Sequence, residues 1–428
     1  MKIYSIPYSN QQILVSLPEE QVDFVGTLSA VIADTNWQNQ LRSLLDKPTA
    51  GPALNRLLCP GQHVVILVED NTRHTPVKEI LPILCEYLVL HGCPLKNQEV
   101  LIAPGTHRTL TEEELWEKLG DYVMQKIKVS QHDFNNEEDL IQLDDVYLDN
   151  MRIPVMVNRI AVDADLLIGL GNIIPHPNAG YSGGAKILDP GCCGNETVSA
   201  THAAAALMGY LPLGMEENAC RNSIEQVAHK VGLDFIINVV LNEKNNVVGV
   251  VTGDFIKAHR AGVKIAKKAF GVPINNPVDI LISSSFPYDI DYWQCEKALI
   301  SAYFGVKKGG IIIFAAPCIE GIAHNHDDFI EWLKLSTNEL EKNIREIWEG
   351  NLSGDLIAAG IALGAAMVRE KAEIYIYTTG LSKETIINMG YTYFENLQDA
   401  ISAALIARPG GSIGILPRGG DCMPYIAK

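Results

Sequence analysis

A chain of 428 residues with 47% hydrophobic and 20% charged residues is too long for one simple core and predicts a globular, soluble protein of two domains. Its formal charge of −17 argues against nucleic acid or an anionic membrane as a partner, because phosphates are repelled at long range. The chain has no apolar run of membrane-spanning length, an N-terminus that alternates instead of forming a signal-type block, and nine scattered cysteines without a CxxC pair, so a cytoplasmic address and no disulfide framework are expected.

Taken in order, residues 3–16 and 22–27 read as short strands of an N-terminal cap, and Thr35–Asp46 as a helix. The run HVVILVED (63–70) is continuous and β-branched, as in a strand covered on both faces, and leads through DNTRHTP into a helix from Pro76 to His91. A second unit repeats the plan with a strand Glu99–Ala103, the turn PGTHRTL and a helix opened by a Thr111/Glu114 capping box. Strands are predicted at Tyr122–Val129, Ile153–Val157 and Asp165–Leu170. Beyond a long glycine-rich loop, Asn195 is the candidate N-cap of a helix reaching Met208, followed by a helix Cys220–Val231 and a hairpin of Phe235–Leu241 with Val247–Thr252. A helix Phe255–Phe270 runs into the candidate linker Pro273–Pro277.

The second half alternates again, with strands Asp279–Ser284, Gly310–Ala315 and Ala372–Tyr377 and helices Cys295–Tyr303, Asp327–Leu335, Asn338–Trp348 and Asp355–Arg369. The expected fold class is α/β, with two domains of Rossmann-like mixed sheets, residues 1–273 and 278–428, and an active site in the cleft between them. The glycine and proline-rich tail is free to pack back on the first domain.

The densest chemistry lies in Gly169–His202, where two histidines, a lysine, many small residues and the pair Cys192–Cys193 share 34 positions. Three prolines exclude a helix and the glycines exclude a buried strand, which leaves a long functional loop. The cysteine pair reads more simply as small apolar filler than as a metal site. Ligands in open α/β sheets bind beyond the carboxyl ends of the strands, and four strand ends here carry polar groups. They present Asp70, Thr72 and Arg73; Thr106, His107 and Arg108; His176 and Lys186; and Tyr288, Asp289, Gln294 and Lys297. Singly each has a structural reading, such as an Arg73–Asp70 pair, but their joint occurrence points to a site.

GGAK is not a nucleotide P-loop, because Ala185 precedes Lys186 and Ile187 follows it where glycine and a hydroxyl residue are required. Consecutive glycines there remain compatible with a phosphate cradle, and GLGNII lacks the third glycine of a dinucleotide fingerprint. A zinc hydrolase using His107, His176 and His202 is a further alternative, although no short metal spacing supports it.

The motifs DNTR (70–73), GTHR (105–108), PHPNAGYSGGAK (175–186), TH (201–202) and WQCEK (293–297) resemble, in order and spacing, those of the nickel-dependent lactate racemases and their homologues. The resemblance spans essentially the whole chain. It implies a racemase or epimerase that inverts C2 of a 2-hydroxy acid by reversible hydride transfer through a planar 2-keto acid. The implied cofactor is a nickel-pincer nucleotide, pyridinium-3-thioamide-5-thiocarboxylic acid mononucleotide, attached to Lys186, with nickel held by two sulfurs, the pyridinium C4 and His202. Glycines 183 and 184, with Ser182, would allow that bulky group to approach the backbone.

His107 and His176 would be the acid/base pair, Arg73 and Lys297 the carboxylate clamp, Gln294 and Trp293 further substrate contacts, and Asp70 and Thr72 cofactor-side or orienting groups. Implied partners are a small 2-hydroxy acid and the proteins that synthesise the cofactor. The chain also departs from lactate racemase. Trp293 stands where that enzyme has tyrosine, its substrate-side tryptophan has no counterpart beyond Trp348 in a different context, and His324, Asn325 and His326 add polar groups. A larger polar acid, such as an aldonic sugar acid, therefore stands beside lactate as the expected substrate. A metal-dependent hydrolase and a non-catalytic cofactor-binding relative remain the alternatives.

Overall fold

The computed structural model describes residues 1–148 and 151–427. The continuous apolar runs form the centres of two six-stranded sheets. In the first, the strands lie side by side in the order Val247–Gly253, Phe235–Leu241, Leu166–Asn172, Val64–Glu69, Gln98–Ala103, Lys128–Gln131. All neighbours are parallel except the hairpin of the first two. Every residue of the four central strands is buried, because helices cover both faces. Val65 and Leu67 enter one core while Val64, Ile66 and Val68 enter the other, as the two-residue period of a strand requires.

The second sheet is wholly parallel, in the order Thr392–Phe394, Ala372–Tyr377, Val306–Ala315, Val278–Ser284, Ile413–Leu416, Val22–Val25. The fold is thus α/β with two Rossmann-like layers, one sheet mixed and one parallel. Helices Lys297–Gly305 and Leu356–Lys371 pack on one face of the second sheet. Helix Leu397–Ala407 and the N-terminal hairpin Lys2–Tyr8/Gln11–Leu17 pack on the other.

Several elements differ from expectation. Residues 2–25 run with the second sheet instead of opening the first domain, since Ile6, Tyr8, Val15 and Leu17 find their apolar partners on Ile280 and Ile311. The expected strand Tyr122–Val129 is mostly helical, within Glu112–Lys126, a span kinked at Gly120 (φ 75°, ψ 168°) that buries Leu119 and Val123 on either side of the kink. The first two residues of the expected linker Pro273–Pro277 end a strand, Gly271–Ile274, paired in parallel with Met423–Ile426 of the tail. Asn195 is the first residue of its helix, and Gly194 occupies the N-cap. No helix among the described residues is long and apolar enough to cross a membrane.

The capping box of helix Glu112–Lys126 forms as its sequence indicates, with Thr111 Oγ1 accepting from the Glu114 N–H at 3.3 Å and the Glu114 carboxylate accepting from the Thr111 N–H at 2.8 Å. Thr111→Ala is expected to cost about 1 kcal/mol of stability. Urea unfolding should show a lowered midpoint with an unchanged slope.

Candidate active site

Three strands of the first sheet end on one side of a cavity of about 140 Å³. Strand Val64–Glu69 delivers Asp70, Thr72 and Arg73, strand Gln98–Ala103 delivers Thr106 and His107, and strand Leu166–Asn172 opens the loop carrying His176, Ser182, Gly183 and Lys186. Helix Asn195–Ala206 adds His202. The second sheet closes the cleft from across, where strand Val278–Ser284 leads to Trp293, Gln294 and Lys297. Of the residues singled out in the sequence for a direct role, Gly184 alone does not line this cavity.

A continuous hydrogen-bond relay joins the two halves. Arg73 Nη1 donates to Thr72 Oγ1 at 2.8 Å, and Thr72 Oγ1 donates to Asp70 Oδ1 at 2.5 Å. The other Asp70 oxygen, Oδ2, lies 2.6 Å from His107 Nδ1. On the far side of the ring, the Gln294 amide meets His107 Nε2 at 3.2 Å, and Lys297 Nζ donates to Gln294 Oε1 at 2.5 Å. Only one proton placement satisfies this chain. With Oε1 accepting from lysine, the Gln294 amide nitrogen donates, so neutral His107 carries its proton on Nδ1 and a lone pair on Nε2. Burial works to raise the Asp70 pKa, but His107 and Arg73 outweigh it and hold the carboxyl well below its usual range. Asp70 thus orients His107, which is the neighbour-orienting role considered for it.

His176 is held in the opposite sense. Its Nδ1 accepts from the backbone N–H groups of Asn178 and Ala179, both at 3.2 Å, so the neutral ring carries its proton on Nε2. Burial, reinforced by Lys186, Lys297 and Arg73, lowers its pKa well below the ordinary histidine value and keeps the ring neutral. The two histidines expected as an equivalent pair therefore present a lone pair and an N–H respectively.

His202 is held in a third way. Its Nδ1 donates to the Val198 carbonyl at 2.8 Å one helical turn back, leaving Nε2 as a lone-pair ligand, and burial and Lys186 lower its pKa to about 4. Burial, reinforced by Arg73 and Arg221 and opposed by Cys220 and Asp189, lowers Lys186 to about 8. Lys297 is lowered further by burial and by Arg73 and Lys186, and its ammonium lies 4.1 Å above the Tyr288 ring.

The Cβ positions of glycines 183 and 184 face the protein interior, while Gly183 also lines the cavity. Gly183 has φ of 74°, and a Cβ there would meet the Asn172 carbonyl at 2.8 Å; at Gly184, with φ of 60°, it would meet the His259 ring at 3.0 Å. The loop is instead shaped from beneath by groups whose importance had no local sequence signal. Arg221, fully buried, donates to the carbonyls of Gly183 at 3.1 Å and of Ala179 and Tyr181. His259 Nε2 reaches the Ser182 carbonyl at 2.8 Å, and Asn238 accepts from the Gly184 N–H at 2.8 Å. Glu69, also buried, accepts from the Asn172 N–H at 3.1 Å and faces Lys118 at 3.9 Å. Trp348 lines neither this cavity nor the smaller one beside it, whereas Trp293 lines both. Cys192 and Cys193 are buried and unpaired, in keeping with filler. Among the described residues, no three His, Cys, Asp or Glu side chains converge as a metal-ligand set.

The fold and cleft define a class of two-lobed α/β protein whose sheets meet across a cationic pocket holding a buried lysine and three histidines. Residues 8–209 match the lactate racemase N-terminal domain and residues 274–420 the lactate racemase C-terminal domain, so the chain belongs to the lactate racemase family. A lactate racemase of Thermoanaerobacterium thermosaccharolyticum is 26% identical over 432 residues, covering 97% of each chain. A lactate racemase of Lactiplantibacillus plantarum is 29% identical over 370 residues, covering 82% of this chain and 85% of that one. The solved lactate racemase apoprotein from T. thermosaccharolyticum superposes with a TM-score of 0.87 at 25% identity, over 99% of this chain and 100% of that one. A solved protein from Thermotoga maritima, 22% identical, shares the fold with a TM-score of 0.72 over 91% and 98%.

A lysine amine lowered to about 8 is free base at a far lower pH than the ordinary value of 10.5 permits. Acylation of Lys186 by a small anhydride, followed by peptide mass spectrometry, should reach half its limiting rate near pH 8. Exposed lysines in the same sample should do so about two units higher.

Proposed function

We propose that the protein is a nickel-dependent racemase or epimerase that inverts C2 of a 2-hydroxy acid, with a nickel-pincer nucleotide tethered to Lys186. The observation that carries this reading is a buried, nucleophilic lysine sharing one cavity with three histidines held in three different hydrogen-bonded states. The residues suit the group. Lys186 has the amine for the tether, and His202 has the free Nε2 for nickel, with its tautomer set by the Val198 carbonyl. The lack of a three-residue ligand set among the described residues fits a metal whose other ligands come from its cofactor, and it disfavours the three-histidine hydrolase. When bound, such a cofactor supplies a carbon that accepts a hydride from substrate C2 and returns it.

The chain's own groups account for the remaining steps. Arg73 uses Nη1 on Thr72, at Oγ1 and the carbonyl, and keeps Nη2 and Nε for the substrate carboxylate, with Lys297 adding charge from the opposite wall. The substrate hydroxyl takes the place of the Gln294 amide as donor to His107 Nε2. As the hydride leaves C2, the hydroxyl proton moves to that nitrogen, and Asp70 stabilises the resulting imidazolium. The planar 2-keto acid then offers its other face, and His176 presents Nε2–H to the substrate oxygen in the second pose. To give that proton up without becoming an imidazolate, and to accept one in the reverse direction, His176 must carry a proton on Nδ1, drawn from solvent as His107 returns its own, and give up its bonds to Asn178 and Ala179. Lactate, for which the named relatives are called, and a larger polar acid such as an aldonic acid both fit this clamp. Loading requires the proteins that make the cofactor.

Intact-protein mass and metal analysis after co-expression with the cofactor-synthesis machinery should show an adduct on Lys186 and one bound nickel. Repeated absence of both would leave a non-catalytic relative as the better reading. In the loaded protein, His107→Ala should retain adduct and nickel while turnover drops by about 10²–10⁴-fold. Undiminished racemisation would remove His107 from the proposed role. A substrate labelled with deuterium at C2 should keep that label in the inverted product in ordinary water, whereas washout would favour proton abstraction.

A further inference from the structure

Beyond His107 and Gln294 the cleft continues into a second cavity of about 70 Å³, which shares Asp70, Thr72, Thr106, His107, Trp293 and Gln294 with the first. Its own walls are the polar groups of Asn71, Arg108, Asp291, Glu320, His324 and His326 together with the side chain of Ile290. One water-sized group needs about 10–15 Å³ by this measure, so the space holds about five. Nothing in the proposed chemistry at C2 uses it. We propose that this cavity is the subsite for the neutral, hydroxylated chain of an aldonate-class 2-hydroxy acid, in one of the two poses that inversion requires. This inference rests on the racemase or epimerase reading and specifies its substrate.

The charges exclude the other chemistries. A dicarboxylate would bring its distal carboxylate against Asp291, Glu320 and Asp70. The cation nearest to hand, Arg108, already has two N–H groups on the Glu114 carboxylate, both at 2.8 Å. Likewise His324 Nε2 lies 2.8 Å from Glu320. An apolar chain could cover Ile290 and the Trp293 ring but would leave the buried His326 Nε2 without a partner, at the cost of an unsatisfied buried group. A short substrate ending at C3 would leave the cavity to water.

His326 selects the hydroxyl. Its side chain is 4% exposed, its ring stacks on Trp293 with centroids 4.1 Å apart and planes 8° from parallel, and its Nδ1 lies 2.5 Å from Asp355 Oδ2. With that proton on Nδ1, the Nε2 lone pair is an acceptor, and it is buried without a partner among the described residues. A hydroxyl can donate to it, whereas a carboxylate or a methyl group cannot. The same hydroxyl has an oxygen left to accept from a neighbouring donor, so a polyol satisfies mixed walls that neither an anion nor a hydrocarbon can. Trp293, in the place where lactate racemase has tyrosine, carries the stack that fixes this ring.

The test compares gluconate, lactate and 2-hydroxyglutarate on the nickel-loaded full chain, by equilibrium binding and by C2 inversion. Gluconate should be preferred over both by at least about tenfold in kcat/KM or affinity. His326→Phe retains a ring against Trp293 and removes Nε2, and it should lower the gluconate-to-lactate preference by about tenfold. Should that variant melt early, His324→Ala at the rim should shift the same ratio in the same direction. Equal or better handling of lactate or 2-hydroxyglutarate, no handling of gluconate, or an unchanged ratio in both variants overturns the subsite. The Lys186 adduct is read separately by mass. An adduct with lactate preference sinks the subsite alone, and gluconate binding without any adduct sinks the racemase reading alone.

Discussion

The site depends on the crowding of cations in a dry cleft. Arg73, Lys186 and Lys297 face one another with Arg221 below, and burial, reinforced by these neighbouring cations, depresses Lys186, Lys297 and His176 together. The same cavity also holds the carboxyl groups of Glu69, Asp70 and Glu296, and burial raises Glu69 and lifts Glu296 to about 8, which weakens their offset of the cations. The same burial and repulsion leave the Lys186 amine nucleophilic and His176 and His202 neutral.

Against that background the three histidines differ by what their second nitrogen meets. A carboxylate, two backbone N–H groups and a helical carbonyl set His107, His176 and His202 to three distinct presentations in one pocket. A fourth, His326, repeats the carboxylate arrangement with Asp355 a short distance away, beside Trp293. The repetition of a His–Asp unit on either side of Trp293 gives the cleft a reacting end and, on the proposal made above, a recognising end.

Precision in the glycine-rich loop comes from below it. Arg221 gathers three of its carbonyls, and His259 and Asn238 take two further backbone groups. Such a web keeps Lys186 and His176 in register while leaving their side chains open to the cavity. The tail performs a related service between the halves, because its strand pairs with Gly271–Ile274 where the chain passes from one sheet to the other.

The sequence by itself determined the α/β class, the central strands and the residues of the cleft, because buried parallel strands are uniformly apolar and reactive groups stand at their carboxyl ends. Asp70, Arg73, His107, His176, Lys186 and Gln294 were legible for that reason, His202 through the family resemblance, and the capping box at Thr111 because its signal is local. Only the tertiary structure decided what depends on contacts across long separations. The amphipathic N-terminal hairpin is as compatible with one sheet as with the other until its apolar face meets Ile280 and Ile311. Glycines 183 and 184 looked like room for a ligand until Asn172 and His259 were seen to fill that space. The tautomer of His107, the buried support of Arg221 and the pairing of His326 rest on partners 29 to 187 residues away, whereas His176 and His202 are set by backbone groups within four residues.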